Sequence, residues 1–199
     1  MPTPSAVLLI AALAAGWSHY GGDSGGQKYS PAGQITPDNV GELIPAWTYS
    51  TGDLTRRDKA LMRRTKLQTT PILADGRLLI CTAFSEIAAL DPGTGAELWR
   101  FDPKVDTARR PGNAFNCRGA DAAPGAVCAS RVFSGTSDGR LLALDAATGH
   151  PCADFGAGGE VRVDWGMAEA YPGEIQISSA PVVLAGKVIV GSAISDNLR

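Results

Sequence analysis

The sequence has no surplus of basic charge: 18 Lys and Arg face 20 Asp and Glu, a formal charge of −2. A nucleic-acid binder carries a basic surplus on one face, so that class is set aside. No acidic block marks a disordered tail either. No C-x-x-C pair occurs among the four cysteines, so a zinc site has no ligand spacing to rest on. No long amphipathic helical pattern follows residue 20. What is plentiful is turn-forming: 24 glycines and 13 prolines, together about 19% against a background of roughly 12%. With 44% apolar residues, a core can be buried and wholesale disorder is excluded. A turn-rich chain without helical periodicity reads as all-β.

Residues 6–15 form an apolar, Ala-rich run of ten, with Ala12-Leu13-Ala14 resembling a small-residue cleavage site. The run is about half the length that spans a bilayer as a helix, and residues 1–5 carry no Lys or Arg. Residues 1–16 therefore read as a weak signal peptide or as the remnant of a membrane anchor. Both point to export. An even number of cysteines in an exported chain suits disulfides. Cys117 and Cys128 flank a loop rich in Gly, Ala and Pro and are expected to pair, whereas Cys81, in an apolar strand, reads as a small core residue.

The chain repeats itself. Ala89-Leu90-Asp91-Pro92-Gly93-Thr94-Gly95 returns as Ala143-Leu144-Asp145-Ala146-Ala147-Thr148-Gly149, 54 residues on. Residues 71–80, which contain Asp75-Gly76, return as residues 181–190 with Ala185-Gly186, 110 residues on, or two units of 55. Residues 131–142 form a third hairpin of the same kind around Asp138-Gly139. In each unit an apolar strand meets a Gly-containing turn and reverses as a hairpin. The second strand ends in Leu-Asp, and x-x-Thr-Gly makes the next turn. Glu97–Phe101 then alternates as a further strand, with Trp99 placed to pack between neighbouring units. Four short strands per roughly 50 residues make a propeller blade. The expectation is an incomplete β-propeller, about three of eight four-stranded blades with tryptophan-docking-type repeats. Eight such units need about 430 residues, so the sequence is expected to be the front of a longer protein, poorly stable and inactive if it stood alone.

Several segments, in order, carry a family resemblance: Trp17-Ser18-His19-Tyr20-Gly21-Gly22, Tyr29-Ser30-Pro31, Ile35–Val40, Ala46–Asp53, Thr70-Pro71, Cys81-Thr82, Cys117-Arg118-Gly119, Gly156–Gly159 and Ser195-Asp196-Asn197. Together they resemble the N-terminal part of a pyrroloquinoline-quinone (PQQ) dependent dehydrogenase of the membrane-bound glucose, quinate/shikimate and polyol branch. The resemblance covers residues 17–199 and implies an eight-bladed propeller holding PQQ and Ca²⁺ or Mg²⁺ near its axis. It implies oxidation of a sugar, polyol or cyclic alcohol in the periplasm, with electrons passed to ubiquinone or another membrane acceptor, and it leaves open both a free periplasmic protein and one anchored to the inner membrane.

PQQ carries three carboxylates and an ortho-quinone. A guanidinium matches a carboxylate bidentately, and by resemblance Arg118 makes that contact, with Gly119 allowing close backbone approach. Gln68 stands where the family often has Glu. Phe84 stands where glucose-oxidising members have His, and is expected to stack on the quinone. Asn197, with Asp196 beside it, is implied as a hard-cation ligand. The family's catalytic base is an Asp of a later blade, so no residue of this sequence takes that role. Asp138 reads as a turn residue, His19 and His150 as structural or surface residues. The basic run Arg56, Arg57, Lys59, Arg63, Arg64 and Lys66 reads as a solvated connection, with anionic lipid headgroups as its functional option. The rival from another class is a non-catalytic periplasmic propeller scaffold of the outer-membrane assembly type.

Overall fold

The computed structural model describes residues 16–109 and 111–195. The signal or anchor reading of residues 1–16 falls, Gly16 excepted, outside them, as do Asp196 and Asn197. Among the described residues no helix is long and apolar enough to cross a membrane.

Two single helical turns, Asp53–Arg56 and Lys59–Met62, lead into strand β1 (Thr65–Thr70). A first sheet follows from β2 (Ile72–Ala74), β3 (Arg77–Cys81), β4 (Ile87–Leu90) and β5 (Glu97–Phe101). Next come β6 (Phe115–Gly119) and a second sheet of β7 (Asp121–Pro124), β8 (Ser130–Gly135), β9 (Arg140–Asp145) and β10 (Glu160–Arg162). The described chain closes with β11 (Ile175–Gln176), β12 (Val182–Leu184), β13 (Lys187–Ile189) and β14 (Ala193–Ile194). Both four-stranded sheets are antiparallel meanders in sequence order, which is the blade the repeats predict. The hairpin of β12 and β13 begins a third.

The turn chemistry explains the hairpins. Asp75 and Gly76, and likewise Ala185 and Gly186, all have positive φ, the two-residue turn whose twist matches the flanking strands. Asp91 Oδ1 accepts from Gly93 N at 3.0 Å, Thr94 N at 2.8 Å and Thr94 Oγ1 at 2.9 Å. Asp145 Oδ1 does the same with Ala147 N at 3.0 Å, Thr148 N at 2.9 Å and Thr148 Oγ1 at 3.0 Å. The repeated carboxylate thus builds one turn twice.

Blades stack face to face, so their inner strands are covered on both sides and read as unbroken apolar runs rather than alternating ones. All four residues of β4 are buried, and so are Leu141–Leu144 of β9. Between the two sheets lie Ile72, Leu79, Ala89, Ala122 and Val132, closed by Trp17 and Trp99. Trp99 docks as the repeat predicts: its Nε1 donates to Ala146 O at 3.1 Å. Trp47 makes the equivalent contact one unit earlier, with Nε1 donating to Pro92 O at 3.1 Å. The second repeat has no tryptophan there. Phe155 packs edge-on against Phe133, with ring centroids 5.4 Å apart, in a cluster that includes Val183 and Val188 of the third hairpin.

Glycine is required where each indole lands. A Cβ on Gly149 would stand 2.5 Å from the Trp99 ring, and φ there is 74°. Gly149→Ala is expected to cost about 2–4 kcal/mol, from overpacking and left-handed backbone together. Gly139→Ala, at φ 83° but with open space around its Cβ, should cost only the backbone share, about 1–2 kcal/mol. Chemical denaturation of the two variants side by side checks the difference.

The cysteine pairing departs from the sequence reading. Cys117 bonds to Cys81, and Cys128 to Cys152. The expected Cys117–Cys128 bridge is therefore corrected, as is Cys81's reading as a plain core residue. The reason is strand alternation. Cys117 points from β6 toward the end of β3, where it is buried with Cys81, Ile87 and Leu144, and proximity along the loop does not decide the partner.

Candidate functional site

Strands β1 and β6 run parallel, pairing Lys66 with Asn116 and Thr70 with Gly119. Alternation then sets Lys66 and Gln68 beside Asn116 and Arg118 on one face. The Asn116 amide donates to Gln68 Oε1 at 2.7 Å across the pair. From the segment after β11, Ser178 grips Arg118 at both ends. Its carbonyl accepts from Arg118 N at 3.0 Å, and its hydroxyl from Arg118 Nη1 at 2.7 Å. Lys66, Asn116, Arg118, Gln176, Ser178 and Ala193 line a cavity of about 240 Å³.

This wall offers two cationic side chains, two buried amides and a hydroxyl. Asn116 Oδ1 and Gln176 Oε1 are buried without a hydrogen-bond partner among the described residues. Unpaired buried acceptors cost free energy in a bare fold and mark a place where a ligand or water completes the pairing. The set fits a polyanionic, hydrogen-bonding ligand such as PQQ.

The structure brings Arg118 to this cavity; Gln68 is outside its lining and reaches it only as the partner of Asn116, and Phe84 does not reach it at all. Phe115 points from β6 to the side opposite Asn116 and Arg118, and Phe84 packs against it with ring centroids 5.3 Å apart. The guanidinium of Arg57 lies 3.9 Å above the centre of the Phe84 ring, and Phe84 is fully buried. A ring covered in this way has no face to offer a quinone, so the stacking expectation is corrected. Gly119 does serve close approach, but by the protein itself. A Cβ there would stand 3.2 Å from Tyr20 Cδ2 and 3.3 Å from Thr70 O. Asp196 and Asn197 lie outside the described residues, and among those described no group of three or more His, Cys, Asp or Glu converges as a metal centre.

His19 is structural, as expected. Its Nδ1 bonds the buried carboxylate of Asp121, whose other oxygen accepts from Val183 N at 2.7 Å. One carboxylate so ties the opening segment, the second blade and the third hairpin. Asp138 is the turn residue expected, paired with Arg140 at 2.9 Å.

The basic run divides: Lys59, Arg63, Arg64 and Lys66 are exposed, as a solvated connection would be, whereas Arg56 and Arg57 are engaged. Arg56 and Arg57 bond the fully buried Glu86, Arg56 at 3.0 Å, and Arg100 joins them at 2.6 Å. Burial pushes the Glu86 pKa up, but the hydrogen bonds from Arg56, Arg100 and Arg57 outweigh it and hold the carboxyl below the usual range. Nothing in the local sequence around Glu86 marks it as the centre of this cluster. Its partners lie 30, 29 and 14 residues away.

Comparison with known proteins agrees with the geometry. A protein-family description, "Glucose/ethanol/alcohol dehydrogenase, beta-propeller domain" of the PQQ type, matches residues 17–199. The chain is 36% identical to quinoprotein glucose dehydrogenase A of Acinetobacter calcoaceticus over 98% of this chain and 26% of that protein. It is 36% identical to the glycerol dehydrogenase large subunit of Gluconobacter oxydans, over 92% of this chain and 25% of the relative. The quinate/shikimate dehydrogenase (quinone) of Acinetobacter baylyi is 32% identical over 92% of this chain and 24% of its own length. The crystal structure of quinohemoprotein alcohol dehydrogenase from Comamonas testosteroni superposes with a TM-score of 0.68 at 29% identity, covering 93% of this chain and 24% of that one. The chain thus spans about a quarter of the relatives it matches. With two blades, the start of a third and a cationic, amide-lined cavity at β1, β6 and β11, the strands that lead into them, the chain belongs to the PQQ-dependent dehydrogenase β-propeller family.

Proposed function

We propose that this chain supplies part of the cofactor wall of a periplasmic PQQ-dependent dehydrogenase that oxidises a sugar, polyol or cyclic alcohol and delivers electrons to a membrane quinone. The observation that carries the reading is Arg118, held at backbone and guanidinium by Ser178 on the cavity wall. Relatives named for glucose, glycerol and quinate/shikimate support the substrate class.

PQQ, when bound, supplies an ortho-quinone that accepts the hydride equivalent of alcohol oxidation. The chain's own residues bind and orient. Arg118 takes a carboxylate of the cofactor, because a guanidinium offers two parallel donors to two oxygens. Ser178 fixes its direction before the ligand arrives, which lowers the ordering cost of binding. Lys66 adds a second positive charge. Gln68, neutral where a carboxylate often stands, orients Asn116 without repelling the cofactor's anions. Asn197 and Asp196 are the proposed oxygen ligands of Ca²⁺ or Mg²⁺. A scaffold without cofactor would leave Arg118 and the buried amides facing no ligand.

The test is dye reduction by the full-length protein reconstituted with PQQ and Ca²⁺ or Mg²⁺ over a panel of sugars, polyols and cyclic alcohols. PQQ-dependent turnover on at least one class is the expected outcome. Absence of turnover across the whole panel, with PQQ bound, would overturn the substrate assignment.

A further inference from the structure

Gln176 is 2% exposed and lines the cavity with Arg118. Its Oε1 has no hydrogen-bond partner among the described residues. It sits at the end of β11, whose backbone is pinned to β14 by the pairing of Gln176 with Ala193. The side chain is therefore delivered to the cavity by two strands rather than by a free loop. A buried amide oxygen left unpaired is costly, since it has lost water without gaining a donor. A ligand that offers a donor to Oε1 and, beside it, an acceptor for Nε2 matches a glutamine so placed.

The chemistry of PQQ answers that pattern at one place. Its quinone oxygens only accept hydrogen bonds, and so do its ionised carboxylates. Its one ring donor is the pyrrole N–H, which stands next to a carboxylate. We propose that the Gln176 amide reads this pyrrole-carboxylate edge, accepting the ring N–H at Oε1 and donating from Nε2 to the neighbouring carboxylate. Gln176 is then an orientation-determining group. Arg118 answers the cofactor's charge and binds any suitably placed carboxylate, whereas the amide distinguishes the edge that carries the N–H. The assignment rests on the PQQ reading above.

The experiment measures equilibrium PQQ binding to the metal-loaded, full-length protein by fluorescence quenching, together with the melting temperature of the cofactor-free protein. Gln176→Leu and Gln176→Met are compared with wild type and with Arg118→Ala. Both Gln176 variants should weaken PQQ by about tenfold or more, the worth of hydrogen bonds to a charged partner. They should leave the cofactor-free melting temperature unchanged or higher, because an unpaired buried amide has been removed. The analogue methylated at the pyrrole nitrogen should bind wild type more weakly than PQQ does, and bind the Gln176 variants no more weakly than it binds wild type. Affinity for PQQ unchanged within twofold in both variants overturns the proposal. So does a lower cofactor-free melting temperature in both, which would show the amide already partnered within the fold. If Arg118→Ala loses affinity while the Gln176 variants keep it, this inference alone fails. If wild type takes up no PQQ, the functional reading fails with it.

Discussion

Glu86→Leu lowers the unfolding free energy by about 3–5 kcal/mol at neutral pH, the scale for breaking a buried charge cluster by removing one member. The carboxylate is fully buried and bonds Arg56, Arg57 and Arg100. Without it, three guanidinium groups converge on an apolar side chain. Arg56 is partly solvated, so the cost falls chiefly on Arg57 and Arg100, whose side chains are 20% and 19% exposed. The effect carries a pH signature. Glu86 has a folded pKa below its ordinary value, so its contribution is fully present above about pH 4.3, the unfolded value. It is lost as pH falls through the lower folded value. Asp138, also held low although burial opposes it, behaves the same way through Arg140 and Thr136. Asp53 works in the other direction, raised first by burial and then by repulsion from Glu86. Its penalty on the folded state is relieved on acidification and offsets part of the loss. The gap between wild type and Glu86→Leu should thus be widest at neutral pH and narrow progressively as pH falls below the unfolded value and through the lower folded one. Urea titrations at pH 7 and at a series of acidic pH values measure it, and a gap that stays constant across the series would contradict the ion-pair account.

Removing the Cys81–Cys117 bridge is the second large effect. The bond closes a span of 36 residues, and the chain-entropy argument gives it about 4 kcal/mol. Cys128–Cys152 closes 24 residues and should be worth about 3.5 kcal/mol by the same reasoning. The two double-alanine variants are therefore expected to lose similar stability. Their effect on the cavity should differ. Cys117 lies between Asn116 and Arg118 in β6, so its bridge anchors the strand that carries both. Cys128 and Cys152 pack with Phe133, Leu141 and Ala143, away from the cavity lining. At a temperature where both variants remain folded, PQQ affinity should fall in Cys81→Ala/Cys117→Ala and stay near wild type in Cys128→Ala/Cys152→Ala. Equal affinities in the two would remove the positioning role of the first bridge.

Much of the blade architecture was legible because each turn carries its own chemistry. Asp75-Gly76 and Ala185-Gly186 announce hairpins, and the Asp91 and Asp145 turns share one hydrogen-bond pattern. Trp99 could be placed between blades because it follows the repeated turn at a fixed offset. Trp47 makes the same contact, but no copy of that turn precedes it, so its docking was not read from the repeat. Arg118 was legible from the Cys-Arg-Gly motif. Its partner Ser178 and the amides of Asn116 and Gln176 were not, because they meet only when β1, β6 and β11 converge. The misplacement of Phe84 and the wrong partner for Cys117 share one cause. Both depend on which side of β6 a residue faces, and the parallel pairing of β6 with β1 has no local signal in the sequence. Glu86 escaped notice for a related reason, since a single carboxylate in an apolar stretch announces no partners.

The central claim is that the wall built from β1, β6 and the residues after β11 binds PQQ through Arg118. Titration of PQQ into the metal-loaded, full-length protein, wild type beside Arg118→Ala, tests it most directly. The account predicts saturable binding at one equivalent in wild type and affinity lower by about tenfold or more in the variant, the loss of a charge-assisted pair. No saturable binding to wild type, or equal affinity in the two proteins, would contradict it.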